Sequence, residues 1–194
     1  EVRRDLGVPD DALLVAMIGH IRWWKGQDLV LSALAGLDEA TRRRLFVLFV
    51  GPTSNGEQAY HEHLMKLVAE GDLGDQVAFL GQRDDVPEIM SAADVILSAS
   101  TAPEPFGLVV IEGMAVGKPV VAARHGGPAE IITPGAGLFF EPGSSEELGS
   151  LLETLLESPE LRAALGKGGL ERVAAFSVAR TVEGVERVYD ELLS

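Results

Sequence analysis

Four short runs of almost wholly apolar residues most constrain what this chain can fold into: LLVAMI (13–18), LFVLFV (45–50), DVIL (94–97) and PVVA (119–122). A strand that is apolar on both sides needs cover on both faces, and helical crossovers between parallel strands supply it. Amphipathic stretches separate the runs. Gln27–Leu37 sets Leu29, Val30, Ala33, Leu34 and Leu37 at helical spacing. Tyr60–Ala69, Val86–Ala92 and Gly107–Val116 also read as helices, and Val77–Leu80 as another strand. A short helix near Pro128–Ile132, a weak sixth strand at Gly137–Phe140 and helices over Ser145–Leu156, Pro159–Ala174 and Val178–Leu193 complete the pattern. The expected fold is α/β, a doubly wound parallel sheet of about six strands with helices on both faces and extra helices at the C-terminal end. With no repeat, low-complexity stretch or long linker, the 194 residues read as one domain. In such a sheet a ligand sits at the carboxyl ends of the strands. The loops after Ile18, Val50, Leu80, Leu97 and Ala122 therefore matter most.

Composition removes several functions. Sixteen Lys and Arg against thirty Asp and Glu give a net charge of −14. Such a chain is a poor non-specific partner for nucleic acid or anionic lipid. Without cysteine there is no disulfide, thiol nucleophile or zinc-thiolate site. No apolar run approaches the roughly 20 residues of a membrane span. The opening Glu1-Val2-Arg3-Arg4 reads as the middle of a helix, which gives the expectation of a piece of something longer.

The loop after the first strand, Gly19-His20-Ile21-Arg22-Trp23-Trp24-Lys25-Gly26, is neither G-x-G-x-x-G nor a Walker A loop. It does place Lys25, Arg22 and His20 at a strand end just before a helix, where cations beside helix amides suit a phosphate. A solvated turn with a lysine at the helix start is the equally simple reading. The adjacent Trp23 and Trp24 point different ways; one is expected to pack and the other stays open.

The most specific segment is 99–123, ASTAPEPFGLVVIEGMAVGKPVVAA. Glu104 lies in a proline-bracketed loop, and Phe106-Gly107-Leu108 open a helix whose first N–H groups lack intrahelical partners and suit a phosphate or carboxylate. Glu112 has Leu108, Val109, Ala115 and Val116 as helical neighbours. A carboxylate among such side chains is costly unless paired. Two ligand hydroxyls would satisfy it, and so would an arginine such as Arg83 or Arg124. Glu104 is either a ligand-gripping acid or a solvated loop acid. Asp84-Asp85 is not D-x-D and reads as a turn and helix cap. His61-x-His63 is set aside as a metal site, because positions two apart on a helix face different ways.

Glu104-x7-Glu112, written EPFGLVVIE and continuing GMAVGKPVVA and GGPAEII, resembles the retaining glycosyltransferases of the GT-B fold, specifically glycosyltransferase group 1, or family 4. The resemblance extends through IGHIRWWKGQDLVLSAL, LFVLFVGP and VAFLGQRDDVPEIMSAADVILSAS. It covers essentially the whole chain, as the Rossmann-like C-terminal, donor-binding half. It implies that the N-terminal, acceptor-binding domain lies outside these residues and that the last helix crosses back to it.

The resemblance carries roles to matching positions. Lys25 and Glu104 are implied as the catalytic pair: Lys25 neutralises the diphosphate leaving group and Glu104 receives the transferred sugar's hydroxyls. Glu112 receives the ribose hydroxyls. The N–H groups of Phe106, Gly107 and Leu108 hold the distal phosphate and sugar. Arg83 and Val86 border the nucleobase, while Gly126-Gly127 and Glu130 have a structural or peripheral role. Gly19 ends the first strand, and the family's usual arginine after it is His20 here, with Arg22 two positions on as the substitute.

The implied activity is transfer of a sugar, of hexosyl type, from a nucleoside-diphosphate sugar with retained anomeric configuration. No metal or cofactor is required. The implied partners are the donor and the N-terminal domain, with no nucleic acid and no membrane span. The implied location is cytoplasmic, with a peripheral place at the inner membrane face. The chain alone is expected to bind nucleotide weakly and to transfer nothing. The alternatives are a sugar-nucleotide epimerase of the same fold and a non-catalytic nucleotide-sugar-binding module. The first loop disfavours a dinucleotide oxidoreductase.

Overall fold

The structure, a computed structural model, describes residues 2–193. Six strands, β1 (Leu13–Ile18), β2 (Leu45–Val50), β3 (Val77–Gly81), β4 (Val95–Ser98), β5 (Val120–Ala123) and β6 (Leu138–Phe140), form one sheet in the order β3-β2-β1-β4-β5-β6. Every neighbouring pair is parallel, and β1 aligns with β2 from Leu13↔Leu45 to Ile18↔Val50. The doubly wound sheet read from the apolar runs is thus present. The helices are α1 (Val2–Asp5), α2 (Gln27–Gly36), α3 (Glu39–Arg42), α4 (Gln58–Glu70), α5 (Val86–Ala92), α6 (Leu108–Ala115), α7 (Gly126–Ile131), α8 (Ser145–Glu157), α9 (Pro159–Val173) and α10 (Val178–Leu193).

The two faces of β1 explain its composition. Leu13, Val15 and Met17 pack into a core with buried residues of α2, α4 and α8. Leu14 and Ala16 pack into a second core with residues of α5, α6 and α7. Successive side chains enter opposite cores, so no position is left for a polar residue.

Some boundaries differ from the sequence reading for local reasons. β4 starts at Val95, not Asp94, because the Asp94 carboxylate accepts from the Leu14 N–H and from Arg3, each at 2.8 Å. α3 was not expected, since four residues are too few to show a period. Asp38 starts it by accepting from the N–H groups of Ala40 and Thr41 at 3.0 and 3.1 Å. α10 buries none of its residues, and Val178, Val182, Val185, Tyr189 and Leu192 form an exposed apolar stripe.

The chain winds from β1 through β2 to β3 on one side and from β4 through β5 to β6 on the other. The reversal between β1 and β4 leaves a crevice at their carboxyl ends, the usual ligand position in open parallel sheets.

Candidate functional site

A cavity of about 340 Å³ occupies that crevice, with Met17 and Ile18 of β1 and Leu97 and Ser98 of β4 as its floor. Lys25, Ser100, Glu104, Phe106, Gly107, Leu108 and Glu112 complete its walls. Six of the sequence-predicted site residues therefore meet in one place.

Lys25 is delivered by a single 3₁₀ turn over Trp23–Lys25. Gly26 ends that turn at φ +83°, and a Cβ there would lie 2.0 Å from the Ala99 carbonyl oxygen. The loops after β1 and β4 are thus in backbone contact that only glycine permits. The Thr101 N–H donates to the Trp24 carbonyl at 2.8 Å, tying the same two loops. Lys25 Nζ sits 2.6 Å from Glu104 Oε2, with 20% and 19% of the two side chains exposed. Ser100 Oγ donates to the same carboxylate oxygen at 3.0 Å. Glu104 is therefore a held acid, not a solvated one. The Lys25 ammonium also lies 4.5 Å from the Trp24 ring centroid, a cation–π distance. Trp24 packs and Trp23 stays 62% exposed.

The loop after β5 supports Glu104 from behind. The Gly127 N–H donates to the Glu104 carbonyl and His125 Nε2 to the Ser100 carbonyl, both at 2.8 Å. A Cβ on Gly127 would meet the Phe106 carbonyl oxygen at 1.9 Å. This is the structural role expected of Gly126-Gly127. Exposed Glu130 stays outside the cavity lining.

Gly107 opens α6 at φ +92° and caps it with no side chain. The N–H groups of Phe106 and Gly107 make no hydrogen bond among the described residues. Glu112 overturns one expectation: it is exposed, not sunk in apolar surroundings. Leu108 and Ala115, its neighbours along the helix, are exposed too, whereas Val110, Gly113 and Met114 face the core. The non-polar residues beside Glu112 thus form the cavity wall. Neither arginine is its partner, because Arg83 pairs with Asp85 at 2.7 Å and Arg124 with Glu141 at 3.4 Å.

His20 and Arg22 flank the cavity without lining it. Arg22 Nε donates to Ser54 Oγ at 2.7 Å, and His20 Nδ1 lies 2.9 Å from the same oxygen. Gly19 ends β1 with its N–H on the Val50 carbonyl at 2.8 Å. From below, Gln27 Nε2 donates to the His20 carbonyl at 3.1 Å. Tyr60 Oη donates to Asp28 Oδ1 at 3.0 Å and lies 3.4 Å from Gln27 Oε1, and burial pushes its phenol above the ordinary range. Arg83 and Val86 lie beside β3, outside the cavity lining, and Val86 packs on the second core. The Asp85 side chain does not cap α5 as expected. Its carboxylate is taken by Arg83, which holds the Asp85 carboxyl below its usual range. His61 faces Thr53 and Phe79 and His63 faces Tyr60, so the two rings do diverge.

Sequence reasoning missed Ser54 and Ser100. Ser54 acts across 34 and 32 positions, to His20 and Arg22, which no local pattern records, whereas Ser100 stands four positions before Glu104 and the S-x3-E spacing was a local signal.

A parallel sheet in the order 3-2-1-4-5-6, with paired charges and open helix N–H groups at its switch point, defines a Rossmann-like domain with groups that suit an anion at the usual ligand position. The chain belongs to the family described as glycosyl transferases group 1, which matches residues 1–172. It is 36% identical to D-inositol 3-phosphate glycosyltransferase of Saccharomonospora viridis, covering 99% of this chain and 46% of that protein. The crystal structure of Anabaena Alr3699/HepE in complex with UDP and glucose superposes with a TM-score of 0.90 at 33% identity, over 98% of this chain and 51% of that one. The C-terminal domain of a group 1 glycosyl transferase (LpcC) from Francisella tularensis superposes with a TM-score of 0.79 at 25% identity, over 90% of this chain and 91% of that one. The fold is thus that of one half of a GT-B glycosyltransferase. The chain spans about half the length of the curated relatives it matches. Among the described residues, no helix is long and apolar enough to cross a membrane.

Proposed function

We propose that this chain is the donor-binding half of a retaining glycosyltransferase that takes a hexosyl group from a nucleoside-diphosphate sugar. One observation carries the reading: Lys25, Glu104, Glu112 and the first N–H groups of α6 share one cavity at the switch point of the sheet. The sizes and charges suit the parts of such a donor. Glu104 accepts from sugar hydroxyls, and Glu112, exposed on the cavity wall, accepts from the two ribose hydroxyls. Arg83 and Val86, beside β3, border the base. The similar Anabaena structure, in complex with UDP and glucose, supports a nucleotide-sugar donor.

As the bond between the sugar carbon and the diphosphate oxygen breaks, its electron pair stays on the diphosphate. Lys25, Arg22 and the N–H groups of Phe106, Gly107 and Leu108 are fixed beforehand where that charge grows, so little reorganisation is needed. The charge is met by protein cations and N–H groups, and on this reading no metal is required. Acceptor contacts belong to the other half of the protein, for which the apolar stripe of α10 offers a docking face. The chain alone then binds nucleotide and transfers nothing. The cytoplasm, at the inner membrane face, is the proposed place of action.

A thermal-shift panel of UDP-, GDP- and ADP-sugars tests the donor. Ligand at about ten times its Kd stabilises the folded state by about 1.4 kcal/mol, or roughly 3–6 °C for a chain of this size. One nucleotide class should give that shift, and Lys25→Ala should remove it. No shift with any donor, or an equal shift in the variant, contradicts the reading.

A further inference from the structure

Ser54 is 7% exposed and stands in the loop after β2. A backbone bridge between Ile21 and Thr53 locks that loop to the one after β1. The Ser54 hydroxyl makes two contacts, with Arg22 Nε at 2.7 Å and His20 Nδ1 at 2.9 Å, and no other among the described residues. Their chemistry assigns the protons. The Arg22 Nε–H is a donor at any physiological pH, so it occupies a lone pair of Oγ. The hydroxyl's own proton then needs an acceptor, because a buried donor left unpaired is costly. His20 Nδ1 is the acceptor in reach. A neutral imidazole that accepts at Nδ1 carries its proton on Nε2.

We propose that Ser54 is a positioning residue: it holds His20 in the Nε2–H form and fixes the Arg22 guanidinium, so that a neutral donor and a fixed cation together grip the donor's diphosphate. The proposal rests on the donor-binding reading above and adds the element that makes His20 a substitute for a charged residue. His20 supplies direction through one oriented hydrogen bond, and Arg22 supplies charge. The His20 carbonyl is held independently by Gln27, so losing the hydroxyl frees the two side chains while the backbone stays in place.

The test has two arms. Nitrogen-15 NMR of the imidazoles reads the His20 tautomer with no ligand. The wild-type chain should show the Nε2–H form, and Ser54→Ala should show a mixture while Ser54→Thr keeps the single form. Calorimetry then uses whichever of UDP, GDP and ADP the wild type binds best. Ser54→Ala should weaken binding about three- to tenfold, the loss of one to two oriented hydrogen bonds. Ser54→Thr should stay within about twofold, and the thermal midpoint of each ligand-free variant reports that it folds. A wild-type Nδ1–H tautomer, an unchanged tautomer in Ser54→Ala, or unchanged affinity overturns the role of Ser54. If the wild type binds none of the three nucleotides, the donor reading itself falls, and the tautomer arm still decides whether Ser54 sets the ring.

Discussion

Lys25 and Glu104 hold each other at 2.6 Å, so an anion that takes the ammonium and a sugar that takes the carboxylate both draw on one ion pair. On the proposed reading, that couples the diphosphate and the adjoining sugar of a donor through a single contact. Both side chains are mostly buried, so desolvation offsets much of their attraction and the pair's value lies in where it holds the two groups. On the proposed reading Arg22 and His20 divide the other phosphate contacts unequally. A guanidinium keeps its charge and several donors, whereas a neutral imidazole offers one hydrogen bond. Arg22→Ala should therefore weaken nucleoside-diphosphate binding about tenfold, and His20→Ala only a few-fold, by calorimetry. The reverse order would show that His20 carries the clamp. Glu112 teaches a different point at this scale. Its helical neighbours reveal that it shares a non-polar face, but periodicity does not say whether that face meets the core or a cavity.

At the scale of elements, the strands were legible because β1, β2, β4 and β5 are buried on both sides and carry almost nothing polar. The helix of Glu112 was legible as well, since Gly107 and the Glu104-x7-Glu112 spacing lie within one short segment. The joints between elements were not. Ser54 lies 34 positions from His20, and Lys25 lies 79 from Glu104, so each pair becomes visible only once the sheet brings its loops together. The glycines at these joints are more exposed to test. Gly127→Ala would drive a Cβ to 1.9 Å from the Phe106 carbonyl, which is backbone and cannot swing away. It should cost about 1–3 kcal/mol by thermal or denaturant unfolding and weaken nucleotide binding as well, because Phe106 and Glu104 move together. An unchanged midpoint would mean that the contact between the loops after β4 and β5 is looser than its geometry.

At the scale of the molecule, a net charge of −14 surrounds a cavity where Lys25 and the first N–H groups of α6 converge, with Arg22 at its flank. An anion bound there, as proposed, is held locally against the field of the chain as a whole. The strength of that hold must come from short contacts and a largely apolar floor of Met17, Ile18 and Leu97 beside Ser98. The chain spans about half the length of the curated relatives it matches, and α10 carries an exposed apolar stripe; on the proposed reading the acceptor is held by residues outside this chain. The most direct measurement is a crystal structure of the chain with the nucleotide sugar that stabilises it best. The account predicts the diphosphate within hydrogen-bond distance of Lys25 Nζ, ribose hydroxyls on Glu112 and sugar hydroxyls on Glu104. A ligand bound away from the β1–β4 crevice, or one that leaves both glutamates untouched, would contradict it.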